Sequence, residues 1–193
     1  MGERMRKGGT VRIALHACCG PCLLEPLAAL LSEHEVLVVY ANPNIHPLRE
    51  YERRRDTLTS YAEDRGLEVV EAAYDPSAWV EAVAGAAGDP GRRCERCFRL
   101  RLGMAAREAA RTGAEAVATT LTVSPHQDPE AIARAGEEAC AEHGVRFLAT
   151  DFRSRYPEAV RRSRELGMYR QRYCGCILSE AEAAAASRSR GAR

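Results

Sequence analysis

Two rhythms of apolar and polar positions alternate along this chain. Short apolar runs at Val11 to Leu15, Glu35 to Ala41 (EVLVVYA), Leu67 to Ala73 (LEVVEAA), Ala116 to Leu121 (AVATTL) and Val145 to Asp151 (VRFLATD) have the length and make-up of strands. Between them, at about Leu23 to Ser32, Leu48 to Arg65, Ser77 to Ala86, Cys97 to Thr112 and Pro129 to His143, apolar residues recur at the spacing that gives a helix one buried face. Strands alternating with helices predict an α/β fold: a single domain with a Rossmann-like parallel sheet of about five strands and helices on both faces. No repeat or linker interrupts the pattern. The domain is expected over residues 10–183, with residues 1–9 and 184–193 as flexible ends.

A parallel sheet of this kind gathers the loops that follow its strands on one edge, where ligands bind. Those loops carry most of the chemistry in the chain. After the first strand comes Ala17-Cys18-Cys19-Gly20-Pro21-Cys22, after the second Asn42 to Pro47 (NPNIHP), and after the third Asp75-Pro76. Thr122 to Asp128 (TVSPHQD) and Asp151 to Pro157 (DFRSRYP) follow the fourth and fifth. A metal site is therefore expected at the C-terminal edge of the strands, with Cys94, Cys97 and the late Tyr173 to Cys176 (YCGC) folding over the same rim.

Composition narrows the setting. With 46% hydrophobic and 28% charged residues over 193 positions, the chain has enough apolar material for one buried core. No apolar run approaches the roughly 20 residues of a membrane span, and Met1 to Gly9 lacks the apolar stretch of a signal peptide, so a cytoplasmic protein with no membrane partner is expected. In reducing cytoplasm, the eight cysteines point to metal binding or redox catalysis before structural disulfides. Cys140 stands alone on a helical pattern and reads as a small core residue.

The other seven form three groups: Cys18, Cys19 and Cys22; Cys94 and Cys97; Cys174 and Cys176. Two C-x-x-C pairs plus a C-x-C are a metal-binding pattern. Seven sulfurs exceed the four thiolates of one cluster and fall one short of two closed four-cysteine sites, so four plus three is the natural division. The three-sulfur metal would keep an open position, as a Lewis-acid catalyst requires. Adjacent residues of an extended chain point to opposite sides, so Cys18 and Cys19 are expected to serve two neighbouring centres. Spacing alone leaves iron and zinc both open.

Net charge is +1, yet the charge is unevenly placed. Arg92 to Arg101 holds five Arg and one Glu, Phe152 to Arg172 holds seven Arg and two Glu, and both adjoin cysteines, whereas Asp128 to Glu142 is acidic. A polyanion would be drawn to one side only. Arg92, Arg93, Arg96, Arg99, Arg170 and Arg172 are the candidate contacts for it, and become candidate RNA contacts under the family resemblance that the motifs carry.

The ordered blocks HACCGPC, NPNIHPLREYERR, RCERCFRLRL, TTLTVSPHQD, DFRSR and YRQRYCGCILS, from His16 to Ser179, resemble the epoxyqueuosine reductase QueH family. The resemblance implies the last step of queuosine biosynthesis: two-electron deoxygenation of the epoxide of epoxyqueuosine at the wobble position of tRNA, giving queuosine and water. It implies a cobalamin-independent oxidoreductase holding a 4Fe–4S cluster beside a separately coordinated iron ion, with tRNA carrying epoxyqueuosine and an unidentified electron donor as partners. In some members aspartate stands at the position of Cys22, which makes Cys22 a ligand of the separate iron. Which of Cys18, Cys19, Cys94, Cys97, Cys174 and Cys176 serve the cluster stays open.

Releasing an epoxide oxygen as water needs acid as well as electrons. His46, Asp75, His126, Asp151 and Tyr169 are candidate proton donors because they lie in the edge loops or beside YCGC, while His16 reads as a backbone-orienting residue. Two other readings compete. Cys19-Gly20-Pro21-Cys22 resembles a thiol–disulfide exchange site, although the lone Trp79 is distant in sequence and four paired thiols would be idle; a zinc-stabilised RNA-binding module is the other. ATP chemistry fits poorly, since ACCGPC offers bulk where a phosphate loop offers backbone amides.

Overall fold

A computed structural model describes residues 10–191; the expected flexible N-terminus, residues 1–9, lies outside the described residues. Five strands, β1 (Arg12–His16), β2 (Glu35–Tyr40), β3 (Val69–Glu71), β4 (Ala116–Thr119) and β5 (Arg146–Phe147), pair in parallel in the order β3-β2-β1-β4-β5. β1 is central. Its register sets Ile13 against Val36 and Ala116, and His16 against Val39 and Thr119. The strand order reverses on either side of β1, which opens a crevice at the carboxyl ends of β1 and β4.

Alternation along β1 divides the core. Ile13 and Leu15 pack with Leu23, Leu24 and Leu27 of α1 (Gly20–Leu31) and with Tyr51, Leu58 and Tyr61 of α2 (Leu48–Glu63). Ala14 turns the other way, with Leu37, Val39 and Val117, onto Ala105, Ala106 and Ala109 of α4 (Pro90–Thr112). Burial on both faces explains why these strands read as nearly unbroken apolar runs. Cys140 joins the second layer from α5 (Pro129–Glu142), in the core position expected of it.

The dipeptide Asp-Pro starts three helices. Asp75, Asp89 and Asp128 cap α3 (Pro76–Val83), α4 and α5, each accepting backbone N–H bonds while proline occupies the first turn. Because Asp89 caps α4, that helix begins at Pro90 and not at Cys97 as the periodicity suggests, which sets Cys94 and Cys97 on one helix face.

Two further helices complete the chain. α6 (Tyr156–Glu165) packs on α1, where Arg162 reaches the buried Glu25 at 2.6 Å. α7 (Ile177–Gly191) runs through most of the stretch expected as a flexible tail and is tied to α4 by the pair Arg93–Glu182 at 2.9 Å. No helix among the described residues is long and apolar enough to cross a membrane.

Candidate metal centre

The loop from β1 to α1 holds the first sulfur group. The chain bends at Cys18 and Cys19, and α1 starts at Gly20 with Pro21 in its first turn and no side-chain cap, leaving its N-terminal amides and positive dipole end toward the thiols. Sγ of Cys18, Cys19 and Cys22 all lie within 4.8 Å of one another, a group that could hold a metal ion. Cys18 and Cys19 are 3.9 Å apart. Thiolates on one tetrahedral ion at about 2.3 Å stand about 3.8 Å from each other, so the spacing suits a single atom. The bend removes the geometric reason for expecting the adjacent Cys18 and Cys19 to serve two centres, since it brings both sulfurs within reach of one ion. Contacts from Cys19 and Cys22 hold the Cys18 thiol well below its usual pKa, and the same contact pushes Cys19 up to about 12.

The second group comes from two distant segments. Cys97 and Cys176 are buried together with Trp79, Val83, Leu100 and Leu178. Cys94 lies one turn before Cys97 on α4 and feels the charge of Cys176, as Cys97 does. Cys174 is exposed at the rim and interacts with Cys97, Cys176 and Cys18, which joins the two groups. Gly175 permits this turn. At φ 136° it adopts a conformation other residues avoid, and a Cβ there would stand 2.9 Å from Ile45 Cγ1 and 3.2 Å from Arg54 Nη1.

Side chains that the sequence did not single out fix this arrangement. Arg54, buried on α2, pairs with Glu50 at 2.7 Å and donates to the carbonyl oxygens of Cys174 at 2.8 Å and Tyr173 at 3.1 Å. Its guanidinium thereby pins YCGC over the first sulfur group. Gln171 Nε2 reaches Cys19 Sγ at 3.1 Å, and Gln127 Nε2 reaches Cys174 Sγ at 3.5 Å. Asn42 donates to the carbonyl oxygen of Ala17 and accepts from Arg101. Membership of the quoted motif blocks was the available signal for Gln171, Asn42, Gln127 and Arg54, the last residue of NPNIHPLREYERR, but nothing in the sequence named their partners.

The expected acids divide. His16 is wholly buried, with Nε2 donating to the Ala41 carbonyl and Nδ1 facing Thr119 Oγ1, and burial pushes its pKa down to about 3; it orients backbone, as expected. Asp75 caps α3 and Asp151 grips Arg153, and these hydrogen bonds lower both carboxyl pKa values, so neither holds a proton to give near neutrality. His46 stacks on Trp79 with ring centroids 5.0 Å apart, and burial lowers its pKa. Trp79 thus belongs to the sulfur site despite its distance in sequence. His126 is exposed two residues before Asp128. Tyr169 lies under Arg53, 3.7 Å from its ring centre, and donates to Glu50 at 2.7 Å; burial and then Glu50 raise its pKa.

The expected RNA contacts divide as well. Arg93 is buried against Glu182, Arg96 donates to the Ala84 carbonyl, and Arg99 pairs with Glu138 and Glu142. Arg92, Arg170 and Arg172 are exposed.

The sequence profile of the family described as Epoxyqueuosine reductase QueH matches residues 13–182, from the first strand to the last helix. The chain belongs to this family. Relatives named Epoxyqueuosine reductase QueH include one from Thermotoga maritima, 38% identical over 89% of this chain and 90% of its own. Another, from Dehalococcoides mccartyi, is 34% identical over 89% and 93%, and one from Streptococcus pyogenes is 33% identical over 86% and 69%. As a member of the QueH family, the protein is an oxidoreductase.

The residues present suit a thiolate-bound redox group. Six of the eight buried side-chain atoms without a hydrogen-bond partner among the described residues belong to residues near these thiols: both amide atoms of Asn44, Nδ1 of His46, Nε1 of Trp79, and Nε of Arg93 and Arg101. Trp79 faces the Cys97 sulfur, and Asn44 Nδ2 lies 3.3 Å from where a Gly175 Cβ would be. Native interiors seldom leave such groups unpaired. The N–H donors among them, on Asn44, Trp79, Arg93 and Arg101, are what a sulfide-bearing group would satisfy.

Proposed function

We propose that this chain is an epoxyqueuosine reductase that acts on tRNA in the cytoplasm, converting the epoxide of epoxyqueuosine at the wobble position to the alkene of queuosine. The reaction breaks two C–O bonds and releases the oxygen as water, consuming two electrons from an external donor and two protons. The observation that carries this reading is the compact group of Cys18, Cys19 and Cys22 after β1, with Cys97 and Cys176 packed together and the charges of these thiols reaching Cys94 and Cys174. Cys94, Cys97, Cys174 and Cys176 would hold a 4Fe–4S cluster, and Cys18, Cys19 and Cys22 the separate iron. When bound, these groups supply electrons and a Lewis acid with an open position.

The protein's own side chains do the rest. Tyr169 keeps its proton through neutral pH and stands on Glu50, which links it to Arg54 and the sulfur groups. We assign it the role of principal acid, with His46 and His126 as further candidates at the rim. Arg54 holds YCGC in place, and Gln171 orients Cys19.

An anticodon loop presents phosphates and unstacked bases. Exposed Arg170 and Arg172 flank Gln171 beside the rim cysteine, and Arg53 stacks on Tyr169 with Arg49 one turn before it on α2. These four arginines and Tyr169 form the RNA-facing surface; Arg93 and Arg99, already paired, are withdrawn from it, and Arg92 and Arg96 lie on α4 at its margin.

The test is anaerobic purification followed by iron and acid-labile sulfide counts, then mass analysis of nucleosides from epoxyqueuosine-containing tRNA incubated with a strong reductant. The expected result is about five iron and about four sulfide per chain and accumulation of queuosine. Zinc alone, or queuosine formed by the metal-free protein, overturns the reading.

A further inference from the structure

Among the described residues three arginines are buried, and they are not equivalent. Arg54 pairs with Glu50 and Arg93 with Glu182. Arg101, on α4 one turn after Cys97, is 1% exposed and forms no ion pair among the described residues. Its Nη2 donates to Asn42 Oδ1 at 2.6 Å, and its Nε has no partner. A buried guanidinium without a counter-charge is heavily penalised, so the anion that balances it must come from elsewhere. The charges bearing on it are those of Cys97, Cys18 and Cys174. Cys97 and Cys174 belong to the four-sulfur group and Cys18 to the three-sulfur group, so one cation faces both.

We propose that Arg101 is a positioning residue that joins the two sulfur groups into one electrostatic unit and raises the reduction potential of the metal they hold. The inference rests on the metal reading above. An electron entering a thiolate-ligated centre adds negative charge to a buried site, and a fixed cation favours the reduced state. Asn42 holds the guanidinium with a neutral acceptor, which leaves its charge uncancelled beside the sulfurs. A carboxylate in that place would cancel it.

The experiment uses the full chain, anaerobically reconstituted with iron and sulfide, and follows reduction by dithionite with electron paramagnetic resonance at controlled potentials. Arg101→Gln removes the charge, Arg101→Lys keeps it, and Asn42→Asp neutralises it in place. Arg101→Gln and Asn42→Asp are expected to shift the reduced-to-oxidised ratio at fixed potential at least about tenfold toward oxidised, about 59 mV for one electron, with Arg101→Lys within about threefold of wild type. Wild-type iron content with an unchanged potential in Arg101→Gln overturns the inference; should that variant not fold, an unchanged potential in Asn42→Asp does so. A wild-type chain that takes up no iron sinks the metal reading itself, and this inference with it.

Discussion

Individual side chains here are sorted by what surrounds them more than by what they are. Two aspartates and a tyrosine occupy the same edge, yet Asp75 and Asp151 are locked as anions by local hydrogen bonds, whereas Tyr169 is held protonated by burial and a carboxylate. Replacing Tyr169 with Phe is therefore expected to lower turnover by about a hundredfold, the usual worth of a placed acid, with iron content unchanged. Steady-state rates normalised to iron check this. Cysteines sort the same way. Cys140 is 1% exposed in the apolar layer that holds Leu37, Val117 and the alanines of α4, so Cys140→Ala should leave iron and sulfide counts intact and cost about 1 kcal/mol in denaturant unfolding. Loss of iron in that variant would mean that the division into seven and one is wrong. Aspartate-capped turns and core cysteines leave a mark in sequence; a proton's affinity does not, because it depends on neighbours from other segments.

Among the elements, the YCGC turn is the most exacting. It must present Cys174 and Cys176 to a helix whose cysteines lie about eighty positions earlier, and it does so through Gly175 at φ 136°, with Arg54 donating to the Tyr173 and Cys174 carbonyls. Gly175→Ala is expected to cost about 1–3 kcal/mol of strain. Its diagnostic effect is selective: cluster iron and sulfide fall while the three-sulfur site still takes up one metal, as metal analysis and visible absorption would show. α4 teaches a related lesson. Its apolar stripe begins late, because the first two turns carry Arg92, Arg93 and Glu95 around Cys94, so periodicity misses the turns that carry the sulfurs; only the Asp89-Pro90 cap marks the true start. α6 and α7 escaped notice for the same reason: their faces are mostly charged or alanine-rich, and their packing partners lie elsewhere in the chain.

For the whole molecule, the question is how a nearly neutral protein would engage the tRNA proposed for it. Several arginines that look available in sequence are consumed by intramolecular pairs, while Arg49 and Arg53 on α2 and Arg170 and Arg172 before YCGC stay exposed. Arg170→Ala combined with Arg172→Ala should weaken tRNA binding and flatten the slope of log affinity against log salt by about 1.4, at about 0.7 per single-strand phosphate contact. Binding measured across a salt series with an unchanged slope would discard this surface.

The parallel sheet, its edge as the place of the cysteine loops, the three cysteine groups and the family itself were all determined by sequence, because strand and helix periodicity and motif order are local properties of a chain. Tertiary structure alone decided which sulfurs stand together, that Cys18 and Cys19 face one way, which arginines remain free, and that Arg54, Arg101 and Trp79 belong to the site. The physical reason is that charge balance and hydrogen-bond pairing in a buried space are fixed by residues far apart in the chain, and no window of sequence contains both partners.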